Sequence, residues 1–206
     1  MNKTIRRYSD GERMNHWVIA VLFVFAGLSG LAFFHPSLFF LSNLFGGGSW
    51  SRILHPFFGV LMVLFFLGLF VRLWRANVMN AADREWRRHT RQMLRGDKSS
   101  MPPAGKYNAG QKIVFWAMAL SLLVLVVTGF VFWRPWFAPY FPIDVIRLAS
   151  LLHAGAAVVL ILSVIVHVYA AIWVKGTIRA MTRGTVTESW AKANHAAWYQ
   201  EVSRGK

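Results

Sequence analysis

Leu148-Ala-Ser-Leu-Leu-His153-Ala-Gly-Ala-Ala-Val-Val-Leu-Ile-Leu-Ser-Val-Ile-Val-His167-Val-Tyr-Ala-Ala-Ile-Trp-Val174 runs for 27 residues without a charged side chain and carries two histidines 14 positions apart. A hydrocarbon core of about 30 Å needs roughly 20 helical residues, so this stretch is long enough to cross a bilayer. Its apolar run is unbroken, whereas a barrel strand alternates over about 10 residues, so a helix is predicted. On that helix His153 and His167 lie about 21 Å apart in rise and about 40° short of four full turns. They share one face at two depths.

Three further stretches have the same character, 17–34, 53–71 and 113–133, with 148–174 as the fourth. The first begins at Trp17 behind a basic segment, the arrangement of a cleaved signal peptide. It continues past Gly27, Ser29, Gly30 and Ala32 to Phe33 and Phe34, and so reads as a span. Gly46, Gly47 and Gly48 mark one hairpin connection, and Pro135, Pro139 and Pro142 another. The expected fold is therefore all-α, one integral membrane four-helix bundle over residues 1–206. Its mean hydropathy of +0.42 and its 56% hydrophobic residues are too apolar for an ordinary soluble domain.

An even number of spans puts both termini on one side, and basic residues choose that side. The arm before the first span, the connection 72–112 and the tail after Val174 hold 20 Lys and Arg, against three (Arg52, Arg134, Arg147) in the opposite loops. This places the termini, the loop 75–109 and the tail 175–206 in the cytoplasm of a bacterial inner membrane. The net charge of +15 is then a topology and lipid-headgroup signal rather than a nucleic-acid footprint. In the loop, Asp83 is expected to cap a helix with Trp86, Thr90, Met93 and Leu94 on one face, lying on the membrane surface. The tail, with Trp190 and Trp198, has a similar look and suits docking of a partner. No internal repeat is read along the chain.

The absence of cysteine excludes disulfides, cysteine-held iron-sulfur clusters and thioether-attached haem in this sequence. Histidine remains as ligand. His16 opens the first span on the inner side and His55 opens the second on the outer side, so each depth receives one histidine from span four and one from elsewhere. His55 with His153, and His16 with His167, is the pattern of two stacked haems b with paired imidazoles. Such haems also need small residues where the macrocycle presses on backbone. Gly27 and Gly30 return to the face of His16 at the outer depth, Gly59 follows His55 by one turn, and Gly155 and Ala156 sit beside His153.

Other readings stand beside this one. A lone membrane histidine often only hydrogen-bonds a neighbouring helix, and Gly27 and Gly30 suit plain helix packing. A mononuclear metal site would want carboxylate or thiolate company, and no Asp or Glu lies within a span, which also weakens a proton relay. His35, His89 and His195 are assigned no role, with His35 the nearest competitor as an outer ligand.

Arg52-Ile-Leu-His55-Pro-Phe-Phe-Gly59, Gly105-Lys-Tyr-Asn108-Ala-Gly110-Gln111-Lys112, Trp133-Arg-Pro, and His167 with Trp173-Val-Lys175-Gly176 closely resemble the gamma subunits, cytochrome b556, of membrane-bound respiratory formate dehydrogenases. The resemblance covers essentially the whole chain. It implies an outer haem on His55 and His153, an inner haem on His16 and His167, and a quinone pocket at Asn108, Gly110, Gln111 and His167. It also implies an iron-sulfur (beta) subunit as electron donor and, through it, a catalytic (alpha) subunit. Two segments depart from the family pattern: Asn194-His195-Ala196 stands where the family has His-His-Pro, and Arg75-Ala76 where it has His-His.

The expected function is a di-haem cytochrome b subunit that passes electrons across the membrane to menaquinone or ubiquinone as part of a formate dehydrogenase. Formate oxidation itself is not in this chain. Arg13, Arg52, Lys106, Arg134 and Lys175 sit at suitable depths for haem propionates. Asn108 is equally suited to capping the third span, a role compatible with quinone binding. The alternatives are a haem-free membrane anchor for dehydrogenase subunits, and a cytochrome b of another respiratory oxidoreductase or of one that reduces ferric iron.

Overall fold

The computed structural model describes residues 3–95 and 101–204, with Met93 and Leu94 described in backbone only. The elements in chain order are β1 (Thr4–Arg6), α1 (Asp10–Phe34), α2 (Gly48–Leu73), α3 (Ala81–Arg88), α4 (Thr90–Leu94), α5 (Ala109–Phe132), α6 (Ile143–Trp173), α7 (Ile178–Arg183), β2 (Thr185–Thr187), α8 (Glu188–Asn194) and α9 (Ala196–Arg204). Among the described residues four helices, α1, α2, α5 and α6, are long and apolar enough to cross a membrane. Each begins before the apolar stretch read from sequence, by four to seven residues, while α5 and α6 end one residue short of it; a helix starts at its cap rather than at its first apolar residue.

Three helix entries use one device. The Ser9 hydroxyl accepts from the Glu12 amide while the Glu12 carboxylate accepts from the Ser9 amide (3.2 and 2.7 Å). Asn80 and Asp83 exchange the same pair of bonds before α3 (3.0 and 2.8 Å), and Asn108 and Gln111 before α5 (2.9 and 3.0 Å). Each satisfies two orphan amides reciprocally. The cap of α3 is thus Asn80, not Asp83 as expected. Asp83 stands three residues inside, where its carboxylate reaches back.

The described residues form two compact units. The first, residues 14–71 and 117–165, contains the bundle helices. Ala26, Met62, Leu122 and Leu160, one from each of α1, α2, α5 and α6, form its core, flanked by Phe23, Phe58, Phe66 and Met118. Outward residues such as Val21, Leu64, Leu123 and Leu162 are bare, as expected of helices whose apolar outer faces meet lipid rather than protein. Between α1 and α2 a 3-10 segment, Pro36–Phe45, ends at Gly46 and Gly47, whose φ of 86° and 95° lie in the left-handed region that favours glycine.

The second unit, residues 1–13, 72–116 and 166–206, is polar in sequence yet has a core of its own: Ile5, Ala180, Val186, Trp190, Ala191 and Trp198. The strands β1 and β2 pair antiparallel, Ile5 opposite Val186. Arg7, 6% exposed, lies in this core, where among the described residues rings rather than a carboxylate surround its guanidinium: Trp198 at 4.7 Å, Trp190 at 5.1 Å, Tyr8 at 5.8 Å and Tyr107 at 6.0 Å. It donates to the Lys106 carbonyl and to His195 Nε2 (3.3 Å), while His195 Nδ1–H donates to the Gly105 carbonyl (2.8 Å). His195, given no role from sequence, is 2% exposed. Burial and the adjacent Arg7 cation hold its pKa down at about 4, so it is neutral at pH 7. Burial likewise lowers the Lys106 ammonium, which lies over the Tyr8 and Tyr107 rings.

The central loop is tied down by charge. Lys112 Nζ meets the Asp83 carboxylate at 2.6 Å and donates to the Val78 carbonyl at 3.0 Å, with both partners about 5% exposed. Trp86, one turn along α3, is buried with its ring against Gly110, where an added Cβ would come within 3.2 Å. The face expected to lie on the membrane surface is thus used inward at Asp83 and Trp86. The side chains of Met93 and Leu94 lie outside the described residues.

Breaking a buried ion pair on one side strands the other charge, at a cost of about 3–5 kcal/mol. Lys112→Met is expected to lower the thermal stability of the detergent-solubilised protein by that order, and Asp83→Asn with Lys112→Met to recover part of it. Because His195 binds its proton more weakly folded (about 4) than unfolded (6.5), the unfolded chain takes up protons first as pH falls. Stability from this group is therefore complete above about pH 6.5 and falls between pH 6.5 and 4, by roughly 3 kcal/mol in all. Thermal melts across that window should show the decline, and His195→Asn should flatten it.

Candidate haem-binding site

His55 stands in the second turn of α2, directly before Pro56, and His153 in the third turn of α6. Both belong to the bundle unit. Their ring centroids are 6.2 Å apart, with the planes at 66°. An imidazole nitrogen binds a first-row metal at about 2 Å, and the ring centre lies roughly 1 Å behind it, so two imidazoles sharing one iron stand about 6 Å apart. The spacing fits a bis-imidazole iron.

The outer nitrogens agree with this. The Ser29 hydroxyl donates to the Phe25 carbonyl one turn back (2.7 Å) and stands 3.0 Å from His55 Nδ1. The Thr128 hydroxyl donates to the Val124 carbonyl (2.6 Å) and stands 3.0 Å from His153 Nδ1. A hydroxyl has one hydrogen. An oxygen whose hydrogen is spent on backbone is able to accept from Nδ1–H, and a ring protonated at Nδ1 keeps its Nε2 lone pair for a metal. Ser29 is fully buried and Thr128 is 6% exposed. Neither residue was singled out from sequence as a contact of the histidines.

Glycines make the room. A Cβ on Gly30 would lie 3.0 Å from His55 Cε1, and one on Gly129 3.4 Å from His153 Cε1. At Gly27, Gly59 and Gly155 a Cβ would meet nothing within 4 Å, so these three are not close-packed helix contacts but positions held open. The Phe132 ring lies edge-on to His153 at 5.1 Å.

The inner pair is divided between the two units. His16 lies in the second turn of α1 with its ring edge-on to Trp17 (5.5 Å), and His167 is exposed six residues before the end of α6. Asn108, Gly110 and Gln111 lie together at the start of α5, and the reciprocal cap uses the carbonyl oxygen of both amides. The end of each side chain not used in the cap is its NH2 group, a donor suited to a quinone carbonyl. His35 is exposed and caps the 3-10 segment, its Nδ1 accepting from the Ser37 amide (3.2 Å). His89 Nδ1 lies 3.0 Å from the Glu85 carbonyl. Of the cations considered for propionates, Arg13 binds the Thr182 carbonyl and Asp10 (2.8 Å), whereas Arg52, Arg134 and Lys175 are exposed.

Over-filling a packed site costs about 1–3 kcal/mol. Gly30→Ala is expected to lower the melting temperature more than Gly129→Ala does, in the order of the two contact distances, when both are followed by circular dichroism in detergent.

Comparison with known proteins agrees with the geometry. Residues 7–184 match the prokaryotic cytochrome b561 family. The chain is 47% identical over 98% of its length to the formate dehydrogenase cytochrome b556(fdo) subunit of Escherichia coli strain K12, of which it covers 94%. It is 40% identical over its whole length to the nitrate-inducible formate dehydrogenase cytochrome b556(Fdn) subunit of the same strain, again covering 94%. To the formate dehydrogenase cytochrome b556 subunit of Haemophilus influenzae it is 39% identical over 96% of its length, covering 83% of that protein. With four membrane-length apolar helices among its described residues, a pair of imidazoles 6.2 Å apart between two of them and a family match over residues 7–184, this chain belongs to the prokaryotic cytochrome b561 family.

Proposed function

We propose that the chain is the di-haem membrane subunit of a formate dehydrogenase, carrying electrons from an outer-side iron-sulfur subunit across the bilayer to quinone. The observation that carries the reading is the His55 and His153 pair, 6.2 Å apart with both Nδ1 atoms committed to hydroxyls. Similarity to formate dehydrogenase cytochrome b556 subunits along nearly the whole chain supports the choice of complex. Bound haem would supply one-electron iron chemistry, which the polypeptide lacks.

His55 and His153 hold the outer haem in this reading, and His16 and His167 the inner one. The inner pairing is supported by the 14-residue interval that puts His153 and His167 on one helical face, about 21 Å apart in rise. Asn108 and Gln111, with Gly110 and His167, bind the quinone. The cap orients both amides, and their NH2 groups donate to the quinone carbonyl. The bias of 20 basic residues to 3 supports cytoplasmic termini, which puts the quinone site on the inner side. Moving an electron inward opposes a negative interior by about 2.3 kcal/mol per 100 mV, so quinone that takes its protons from the cytoplasm conserves that work as proton-motive force.

A pyridine haemochrome count on the purified protein should find two haems b per chain, and His55→Ala and His167→Ala should each lose one. A folded preparation with none leaves only a membrane anchor.

A further inference from the structure

Ser29-Gly-Leu-Ala-Phe-Phe-His-Pro36 and Thr128-Gly-Phe-Val-Phe-Trp-Arg-Pro135 share a hydroxyl, a glycine, a phenylalanine, a second aromatic ring and a proline at the same spacing. Each is followed by a histidine, 26 residues after Ser29 and 25 after Thr128, approached as Ile53-Leu-His55 and Leu151-Leu-His153. The match continues in atoms. Each hydroxyl donates to the carbonyl four residues back, stands near the carbonyl three residues back (3.2 Å to Ala26, 3.3 Å to Leu125), and lies 3.0 Å from a histidine Nδ1. Each following glycine clears the Cε1 edge of that same ring. The hairpin of α1 and α2 and the hairpin of α5 and α6 thus repeat one arrangement, a repeat the intervening sequence hides.

We propose that Ser29 and Thr128 are positioning residues of a duplicated haem half-site: their oxygens fix His55 and His153 as Nδ1–H tautomers, make both imidazoles stronger donors, and so bias bound iron toward its ferric state. An acceptor on the far N–H of a ligating histidine fixes tautomer and ring orientation and raises basicity, and a hydrogen-bonded hydroxyl already donating to a carbonyl is the more polarised acceptor. The two half-sites act on the same iron, so the effects of the two oxygens accumulate. The inference rests on the reading that His55 and His153 hold the outer haem.

The two side chains also back-bond to their own helices, a role that bends a helix without reference to any ligand. Thr128 separates the possibilities. Thr128→Val keeps the shape and loses the oxygen, whereas Thr128→Ser keeps the oxygen and loses a methyl. On the purified holoprotein, with His55→Ala identifying the outer haem's signals, spectroelectrochemical titration and low-spin ferric electron paramagnetic resonance are the readouts. Ser29→Ala and Thr128→Val are expected to raise the outer midpoint potential, the double variant by about the sum, with the inner potential unmoved and Thr128→Ser at the wild-type value. Outright loss of the outer haem in Ser29→Ala and Thr128→Val but not in Thr128→Ser carries the same meaning, a drop of about ten- to a hundredfold in retention. Unchanged potentials with both haems bound, or a Thr128→Ser variant as perturbed as Thr128→Val, overturn the proposal. A wild-type protein that holds no haem ends the haem reading itself; the tautomer of His55 and His153 is then read from nitrogen-15 shifts, and Nε2–H rings overturn the positioning role.

Discussion

Inside hydrocarbon no water takes up an unmet hydrogen bond, so every polar hydrogen must be used within the chain. That constraint organises the bundle. Ser29 and Thr128 meet it by donating to the carbonyls of Phe25 and Val124, which leaves each oxygen able only to accept. The histidines facing them must then donate from Nδ1, and what remains on each ring is one unprotonated nitrogen turned away from the hydroxyl. The proposed cofactor site is built on this hydrogen-bond satisfaction, and glycine at 30 and 129 follows from the room the two rings need.

The polar unit meets a different constraint, that of burying charge. Among the described residues Arg7 is held by four aromatic rings, a backbone carbonyl and a neutral imidazole rather than by a carboxylate, an arrangement that works because guanidinium is weakly hydrated and stacks well. Asp83 and Lys112 use direct pairing, which anchors the central loop to the start of α5. That anchorage fixes the helix entry where Asn108 and Gln111 present their amides, so the ion pair bears on the proposed quinone end without touching it.

Much of the fold was legible beforehand. Four uncharged stretches of 18 or more residues predict the four long helices, and the Gly46 to Gly48 and Pro135 to Pro142 segments predict the hairpins, because span length and turn chemistry are local properties. The Asn108 cap was legible too, as one of its two candidate roles. Less visible were Asp83, whose reciprocal bond makes Asn80 the cap, and Trp86, whose partner is the glycine at 110 rather than the membrane surface. His195 lay among polar residues in a basic tail, and its buried partners include Arg7, 188 residues away, and the Gly105 carbonyl, 90 away. Ser29 was read only as one small residue of the first span, and Thr128 was not singled out. A hydroxyl-glycine pair placed 25 or 26 residues before a histidine was the signal that would have found them.

The sequence by itself determined the class of structure and pointed to His55 and His153 as neighbours, since helical rise and hydropathy need no partner to be read. Only the tertiary structure decided which hydroxyl stands against each ring, which glycines are open and which are filled, and which cation is buried among rings. Those depend on atoms brought within about 3 Å of one another from different helices or segments, and no periodicity along a single helix records such contacts.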